Sequence, residues 1–85
     1  MDANQAEIVK ALERASVSVE VIGKPVDLLC CCRGRTFVLE VKNLDGRDRL
    51  TNDQVEFIAR WPGEVHVVHT ADEAVAAAVG AEAMR

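Results

Sequence analysis

Hydrophobic and polar positions repeat with two different periods along the chain, and the two periods predict helices and strands. Apolar residues spaced three and four apart predict helices over 4–15 and 51–60. A thinner apolar stripe predicts a third helix that begins after Thr70. Valines that alternate with polar residues predict a half-buried strand over 16–22, and a further short strand is predicted over 64–69.

Two almost wholly apolar runs in the middle of the chain, 26–32 and 36–41, predict a β-hairpin. The connection at Arg33 and Gly34 is short, and its glycine adopts a positive φ at little cost. Because both runs are nearly apolar, we expect the hairpin to be buried on both faces. The segment 64–69 should then lie parallel to 36–41, since a helix separates the two strands.

The predicted elements follow one another in the order α-β-β-β-α-β-α. This order predicts an α/β or α+β domain with a mixed sheet and helices packed on it. A chain of 85 residues is long enough for one small domain, so we expect a single domain over 1–85.

Three charged residues interrupt the hairpin: Asp27, Glu40 and Lys42. A two-residue turn pairs Asp27 with Glu40, and a slip by one residue pairs Asp27 with Lys42, yet either register leaves all three on one face. Opposed carboxylates repel each other, and an unpaired buried charge is costly. A divalent cation that prefers oxygen ligands, such as Mg²⁺, would relieve both problems. The alternative is an internal salt-bridge cluster, although buried ion pairs stabilise less than apolar side chains.

Asp27, followed by Glu40-Val41-Lys42 at the end of the next strand, resembles the signature of the PD-(D/E)XK nucleases. The flanking segments 25–29, 33–43 and 50–57 resemble the small phage and bacterial nucleases of the VRR-NUC and Holliday-junction-resolvase-like branch. The similarity runs over nearly the whole chain. It implies a restriction-endonuclease-like core and a metal-dependent DNA endonuclease that selects branched or junction DNA by its structure.

The resemblance also implies a role for each site residue. Asp27, Glu40 and the backbone carbonyl of Val41 would hold Mg²⁺, for which Mn²⁺ is expected to substitute. Lys42 would stabilise charge on the phosphate or position the attacking water. Gln54 would orient the phosphate or the lysine, and a glutamate of the first helix would complete the acidic shell.

Two of these residues have a local explanation as well. Glu7 is the preferred helix glutamate and Glu13 its competitor, yet Glu7 also stands three residues after Asn4, in the spacing of a capping box. Gln54 stands three residues after Thr51 in the same spacing. The sequence leaves capping and catalysis open for both.

The charge distribution bears on partners. A formal net charge of −4 argues against a general nucleic-acid coat but allows a nuclease whose acidic residues bind metal. Basic residues concentrate in the middle of the chain, and the candidate DNA contacts are Arg33, Arg35, Arg47 and Arg49, with a solvated surface as the equal alternative. We expect a cytoplasmic protein without a membrane span, paired as a homodimer because its core is small. Because the chain is minimal for the group that it resembles, we also expect a protein partner that targets the substrate.

Other residues that can carry chemistry have plainer explanations. Cys30, Cys31 and Cys32 are consecutive, so a strand directs them to alternate faces, and we expect them to pack. His66 and His69 lie on opposite faces of a strand, which is poor geometry for one metal. Trp61 is expected in the core or at a dimer contact rather than under a base.

A second class of function fits the same scaffold. The chain could be a non-catalytic DNA-binding or protein-interaction module that retains the nuclease fold. The presence of Asp27, Glu40 and Lys42 together argues against this alternative, because a site without activity has no reason to retain buried charges.

Overall fold

The computed structural model describes residues 3–43 and 49–80 of the chain. Its elements, in chain order, are α1 (Ala3–Arg14), β1 (Ser18–Val21), β2 (Leu28–Cys32), β3 (Arg35–Val41), α2 (Asn52–Arg60), β4 (Val65–Val68) and α3 (Ala71–Val79). None of the described helices combines the length and the apolar composition that crossing a bilayer requires.

The four described strands form one mixed sheet in the order β1-β2-β3-β4. β1 pairs with β2 and β2 with β3 in antiparallel fashion, whereas β3 and β4 run parallel. The predicted α+β domain with a mixed sheet and three helices is therefore confirmed, as is the parallel direction of the last strand. Because α2 connects β3 to the parallel strand β4, the C-terminal ends of both strands lie at the same edge of the sheet.

The turn between β2 and β3 sets the register of the hairpin. Arg33 has φ 55° and Gly34 has φ 80°, so two residues in the left-handed region reverse the chain. Cys32 then pairs with Arg35, and Leu28 pairs with Leu39. This is the first of the two registers considered above, and it directs the residue before Leu28 towards Glu40.

The helices cover the two faces of the sheet unequally. α1 and α3 pack on one face, where Ile8, Leu12, Phe37 and Leu39 belong to the larger buried cluster. α2 packs on the other face, here called the α2 face, through a smaller cluster of Val26, Val38 and Phe57. The sheet is thus a two-sided layer with most of its core on the α1 and α3 side.

The expectation that both strands of the hairpin are buried on both faces holds for the second half of β3 and is wrong for β2. Leu29 is 39% exposed and Cys31 is exposed on the α2 face, because the nine-residue α2 contacts the sheet around Val38 rather than over β2. Cys30 and Cys32 pack in the core as predicted, and burial raises the pKa of the Cys30 thiol to about 11.

Asn4 does not cap α1, because the helix begins one residue earlier, at Ala3. Its side-chain amide instead donates to the backbone carbonyls of Lys42, at 3.5 Å, and His69, at 3.2 Å. The capping-box explanation for Glu7 therefore fails. The first turn of α1 is tied to the points where β3 and β4 end.

The positive φ of Arg33 predicts a stabilising substitution. Asparagine tolerates the left-handed region better than arginine, and Asn-Gly is the preferred pair for such turns. We expect Arg33→Asn to raise the free energy of unfolding by about 0.5–1 kcal/mol in urea titrations. Arg33→Gln is the control, since it removes the charge and retains the backbone strain. An equal gain in both variants would assign the effect to charge instead of the turn.

Candidate functional site

The charged residues of the hairpin meet at the edge where β3 ends. Glu40 is the penultimate residue of β3, Lys42 follows the strand directly, and Asp27 immediately precedes β2. Glu40 and Lys42 share the α2 face with Val38 because side chains alternate along a strand. The sequence prediction that Asp27, Glu40 and Lys42 approach one another agrees with this placement.

Glu40 is the most deeply buried charged side chain among the described residues, with 2% of its surface exposed. Its Oε2 lies 3.4 Å from the Nζ of Lys42, which is itself only 8% exposed. Gln54 donates from Nε2 to the same Oε2 at 2.7 Å. The other oxygen, Oε1, is buried and accepts no hydrogen bond from the described part of the chain.

Asp27 is held against β3 by the backbone. Its Oδ2 accepts from the amide N–H of Val41 at 2.8 Å. Its own carbonyl accepts from Ile22 at 2.9 Å and from Gly23 at 3.3 Å, which fixes the chain just after β1. Asp27 therefore continues the hairpin beyond its last regular pair and presents a carboxylate to Glu40.

The pKa of Glu40 is raised from its ordinary value of 4.5 to about 7. Burial is the largest cause, the nearby carboxylate of Asp27 adds to it, and the ammonium group of Lys42 opposes it. Two carboxylates only accept hydrogen bonds, so Asp27 cannot satisfy Oε1 of Glu40 unless a proton lies between them. Near neutral pH the pair needs either that proton or a cation.

The donor set fits a hard divalent ion such as Mg²⁺. Two carboxylates lie together, and one of them has a buried oxygen without a donor. No group of three or more His, Cys, Asp or Glu in the described ranges could hold a metal. The predicted third ligand, the carbonyl of Val41, is a backbone oxygen outside that count. A cation at this site would draw on Asp27, Glu40, backbone oxygen and water, which is how Mg²⁺ is commonly bound.

Gln54 performs two tasks that the sequence presented as alternatives. Its Oε1 accepts from the N–H of Thr51 at 3.0 Å, while the hydroxyl of Thr51 accepts from the N–H of Gln54 at 3.2 Å. This is the predicted capping box of α2. Because the Nε2 of the same amide donates to Glu40, the cap fixes one oxygen of the site carboxylate.

The structure does not bring Glu7 to the carboxylate pair. Glu7 and Glu13 are both exposed on α1, which packs against the face of the sheet opposite to α2. No hydrogen bond or ion pair within the described residues joins Glu7 to Asp27 or Glu40. Its catalytic assignment stays a prediction. The residue of α1 that reaches this edge of the sheet is Asn4, which no periodic pattern marks because its contacts are tertiary.

Two of the four candidate arginines lie at the opposite end of β3 from Glu40. β3 has seven residues and spans roughly 20 Å, which separates Arg33 and Arg35 from Glu40. Arg35 is also engaged: it forms two 2.8 Å hydrogen bonds with Glu64 and donates to the carbonyls of Ala77 and Ala78.

Arg35 therefore holds the end of α3 on the sheet, and its role as a DNA contact stays a prediction. Arg49 is exposed, and Arg47 lies outside the described residues.

The indole of Trp61 and the two imidazoles have partners other than the carboxylate pair. Trp61 is 43% exposed and stacks on Phe57 at 5.0 Å between ring centroids, so it does not lie in the core, and the expected dimer contact stays a prediction. His66 pairs with Glu64 at 2.7 Å, and His69 pairs with Glu73 at 3.1 Å. The two histidines have separate partners, in line with their predicted separation.

The chain matches no protein-family model, and neither a curated protein nor a solved structure shows significant similarity to it.

The raised pKa of Glu40 predicts how stability depends on pH in the absence of metal. Folded Glu40 retains a proton between pH 4.5 and about 7, whereas the unfolded residue releases it. The free energy of unfolding should therefore fall as pH rises through this window, by on the order of 3 kcal/mol, and level off above it. Urea titrations in EDTA measure the change.

Glu40→Gln is the matched variant, since its amide can donate to Asp27 at every pH. The difference in the free energy of unfolding between the wild-type protein and Glu40→Gln should therefore change with pH between 4.5 and about 7. An identical slope in both proteins would contradict the assignment of the raised pKa to Glu40.

Proposed function

We propose that this chain is a metal-dependent deoxyribonuclease that hydrolyses phosphodiester bonds, built on a restriction-endonuclease-like core. The observation that carries the proposal is the buried Oε1 of Glu40, which has no donor among residues 3–43 and 49–80 and lies beside the carboxylate of Asp27. The ammonium group of Lys42 completes the set. This arrangement supports the interpretation of the sequence motif as a site for chemistry.

The salt-bridge alternative accounts for less of the geometry. Lys42 contacts Oε2 of Glu40, the same oxygen that Gln54 already binds. The ion pair therefore leaves Oε1 without a partner, and a single ammonium group does not neutralise two carboxylates. A structure selected only for stability would replace such a cluster by apolar side chains.

In the proposed reaction Asp27, Glu40 and the carbonyl of Val41 hold Mg²⁺ or Mn²⁺. An ion held by these residues would supply Lewis acidity for polarising the phosphate and activating the attacking water. The N–H of Val41 donates to Oδ2 of Asp27 and keeps this carboxylate oriented. The backbone of β3 therefore positions Asp27, and it carries Glu40 itself. Glu40 is protonated at acidic pH because its pKa is raised, and it would have to lose this proton in order to bind the ion.

Lys42 is the residue suited to contact the substrate. A phosphate brought to the carboxylate pair carries negative charge, which increases on the oxygens as the bond to the leaving group breaks. An ammonium group that is already desolvated, with 8% of Lys42 exposed, stabilises such charge more strongly than one in open water. Glu40 fixes its position before the substrate arrives.

Gln54 acts through Glu40. Both ends of its amide are engaged, one by Thr51 and one by Glu40, so we assign it to positioning the carboxylate rather than to contacting the phosphate. The start of α2 thereby holds the ligand in one rotamer, which is the support that a metal site requires from its surroundings.

The finer parts of the proposal rest on the resemblance and, for the homodimer, also on the small size of the core. They are the preference for branched or junction DNA, the homodimer that would present two sites to two strands, and a protein partner that targets the substrate.

Cleavage assays test the proposed activity. We expect the purified protein to cut branched DNA with Mg²⁺ or Mn²⁺ and to be inactive in EDTA. Asp27→Asn, Glu40→Gln and Lys42→Ala should each lower the rate at least 100-fold, because each removes a ligand or a charge from the site. Glu20→Gln, which alters an exposed carboxylate on β1, should leave the rate unchanged.

A calorimetric titration of Mn²⁺ binding gives a second measurement that does not depend on the choice of substrate. Wild-type protein should bind and Glu40→Gln should not. DNA binding without cleavage under every metal condition, together with no Mn²⁺ binding, would overturn the enzyme and favour a non-catalytic module.

The helix carboxylate can be assigned by a pair of variants. If Glu7 completes the acidic shell, Glu7→Gln should lower the cleavage rate about tenfold or more while Glu13→Gln does not. Both residues are exposed on the same helix, so the two variants should unfold alike in urea. Equal rates in both variants would remove α1 from the site.

A further inference from the structure

A groove of about 550 Å³ lies beside the carboxylate pair on the α2 side of the molecule. Its walls come from the connection between β1 and β2 and from the first turn of α2; the lining residues are Gly23, Lys24, Pro25, Thr51, Asp53 and Gln54. None of these residues except Gln54 belongs to the proposed catalytic set.

The groove is continuous with the site through two connections. Gln54 lines the groove and donates to Oε2 of Glu40 at 2.7 Å. Pro25 lies two residues before Asp27, and the carbonyl of Asp27 binds Gly23 across the same connection. A ligand in the groove would therefore lie next to the buried carboxylate whose Oε1 has no donor.

The chemistry of the walls favours an anionic ligand with an apolar part. Lys24 is exposed, and its ammonium group has no hydrogen bond or ion pair with the described residues. The first turn of α2 adds the positive end of the helix dipole. Pro25 offers an uncharged surface, and among the described residues that line the groove Asp53 is the one that repels an anion.

We propose that the groove binds one nucleotide of the DNA strand, next to the bond that the carboxylate site cuts. Its phosphate lies between Lys24 and the first turn of α2, and its sugar and base lie against Pro25. The volume is within the range of single-ligand pockets, about 300–1,000 Å³, and is too small for a duplex. The location of this nucleotide relative to the cut bond rests on the proposed function.

Fluorescence anisotropy with labelled DNA in EDTA, and again with Ca²⁺, tests the groove without requiring cleavage. Lys24→Ala should weaken binding about three- to tenfold and lower the slope of log affinity against log salt concentration by about one, as expected for one lost phosphate contact. Asp53→Asn should strengthen binding about two- to fivefold, because it removes the repelling charge.

The chain offers a matched control for each variant. Asp72 holds the same position after Thr70 in α3 that Asp53 holds after Thr51 in α2, so Asp72→Asn alters an equivalent helix start outside the groove. Lys10→Ala removes an exposed lysine from α1, on the other side of the sheet. Neither control should change DNA affinity.

The outcomes separate this inference from the proposed activity. Opposite shifts for Lys24→Ala and Asp53→Asn, with no cleavage under any metal condition, support the groove as a DNA site and reject the nuclease. Cleavage with unchanged affinity in both variants rejects the groove and retains the nuclease. Wild-type protein that binds no DNA would overturn the groove as well.

Discussion

The burial of one negative charge is the constraint on which the site depends. Glu40 lies on a strand that is covered on both faces at its end, and water cannot solvate its carboxylate there. The ammonium group of Lys42 and the amide of Gln54 contact Oε2, and no donor of the described chain contacts Oε1. A buried group with half of its hydrogen-bonding capacity unmet is costly in a domain of this size, so the arrangement indicates selection for something other than stability.

The remaining contacts at this edge of the sheet can be understood as support for that charge. Asp27 is fixed by the backbone of β3, Gln54 by the cap of α2, and the end of β3 by Asn4 from α1. Two helices and the connection before β2 thus converge on Glu40 and Val41 at the end of β3 and on Lys42 directly after it. Loss of any one of them would leave Glu40 in place but less well oriented, because the strand itself is held by its neighbours β2 and β4.

Much of this arrangement follows from local patterns. The turn at Arg33 and Gly34 fixed the register, the register brought Asp27 towards Glu40, and the spacing of Thr51 and Gln54 gave the start of α2. These features depend on neighbours in sequence or on strand alternation, which a sequence displays directly.

The failures have a common physical origin in tertiary contacts. Asn4 was placed at a helix start by its residue type, yet it binds two carbonyls that are far away in the chain. Arg35 likewise has long-range partners that no local pattern indicates, since its guanidinium group binds Glu64 and a carbonyl at the end of α3. The groove beside Lys24 could not be anticipated, since its two walls meet only when α2 docks on the sheet.

The stacking of Trp61 on Phe57 gives the domain an optical property. The chain contains one tryptophan and no tyrosine, so its near-ultraviolet emission arises from a single indole at the end of α2. A Cβ added at Gly63 would lie 2.8 Å from the indole Nε1, so the glycine leaves the space in which the ring stacks on Phe57. Because Phe57 anchors α2 on the sheet, the wavelength and intensity of that emission report whether α2 is packed on the sheet, without any attached dye.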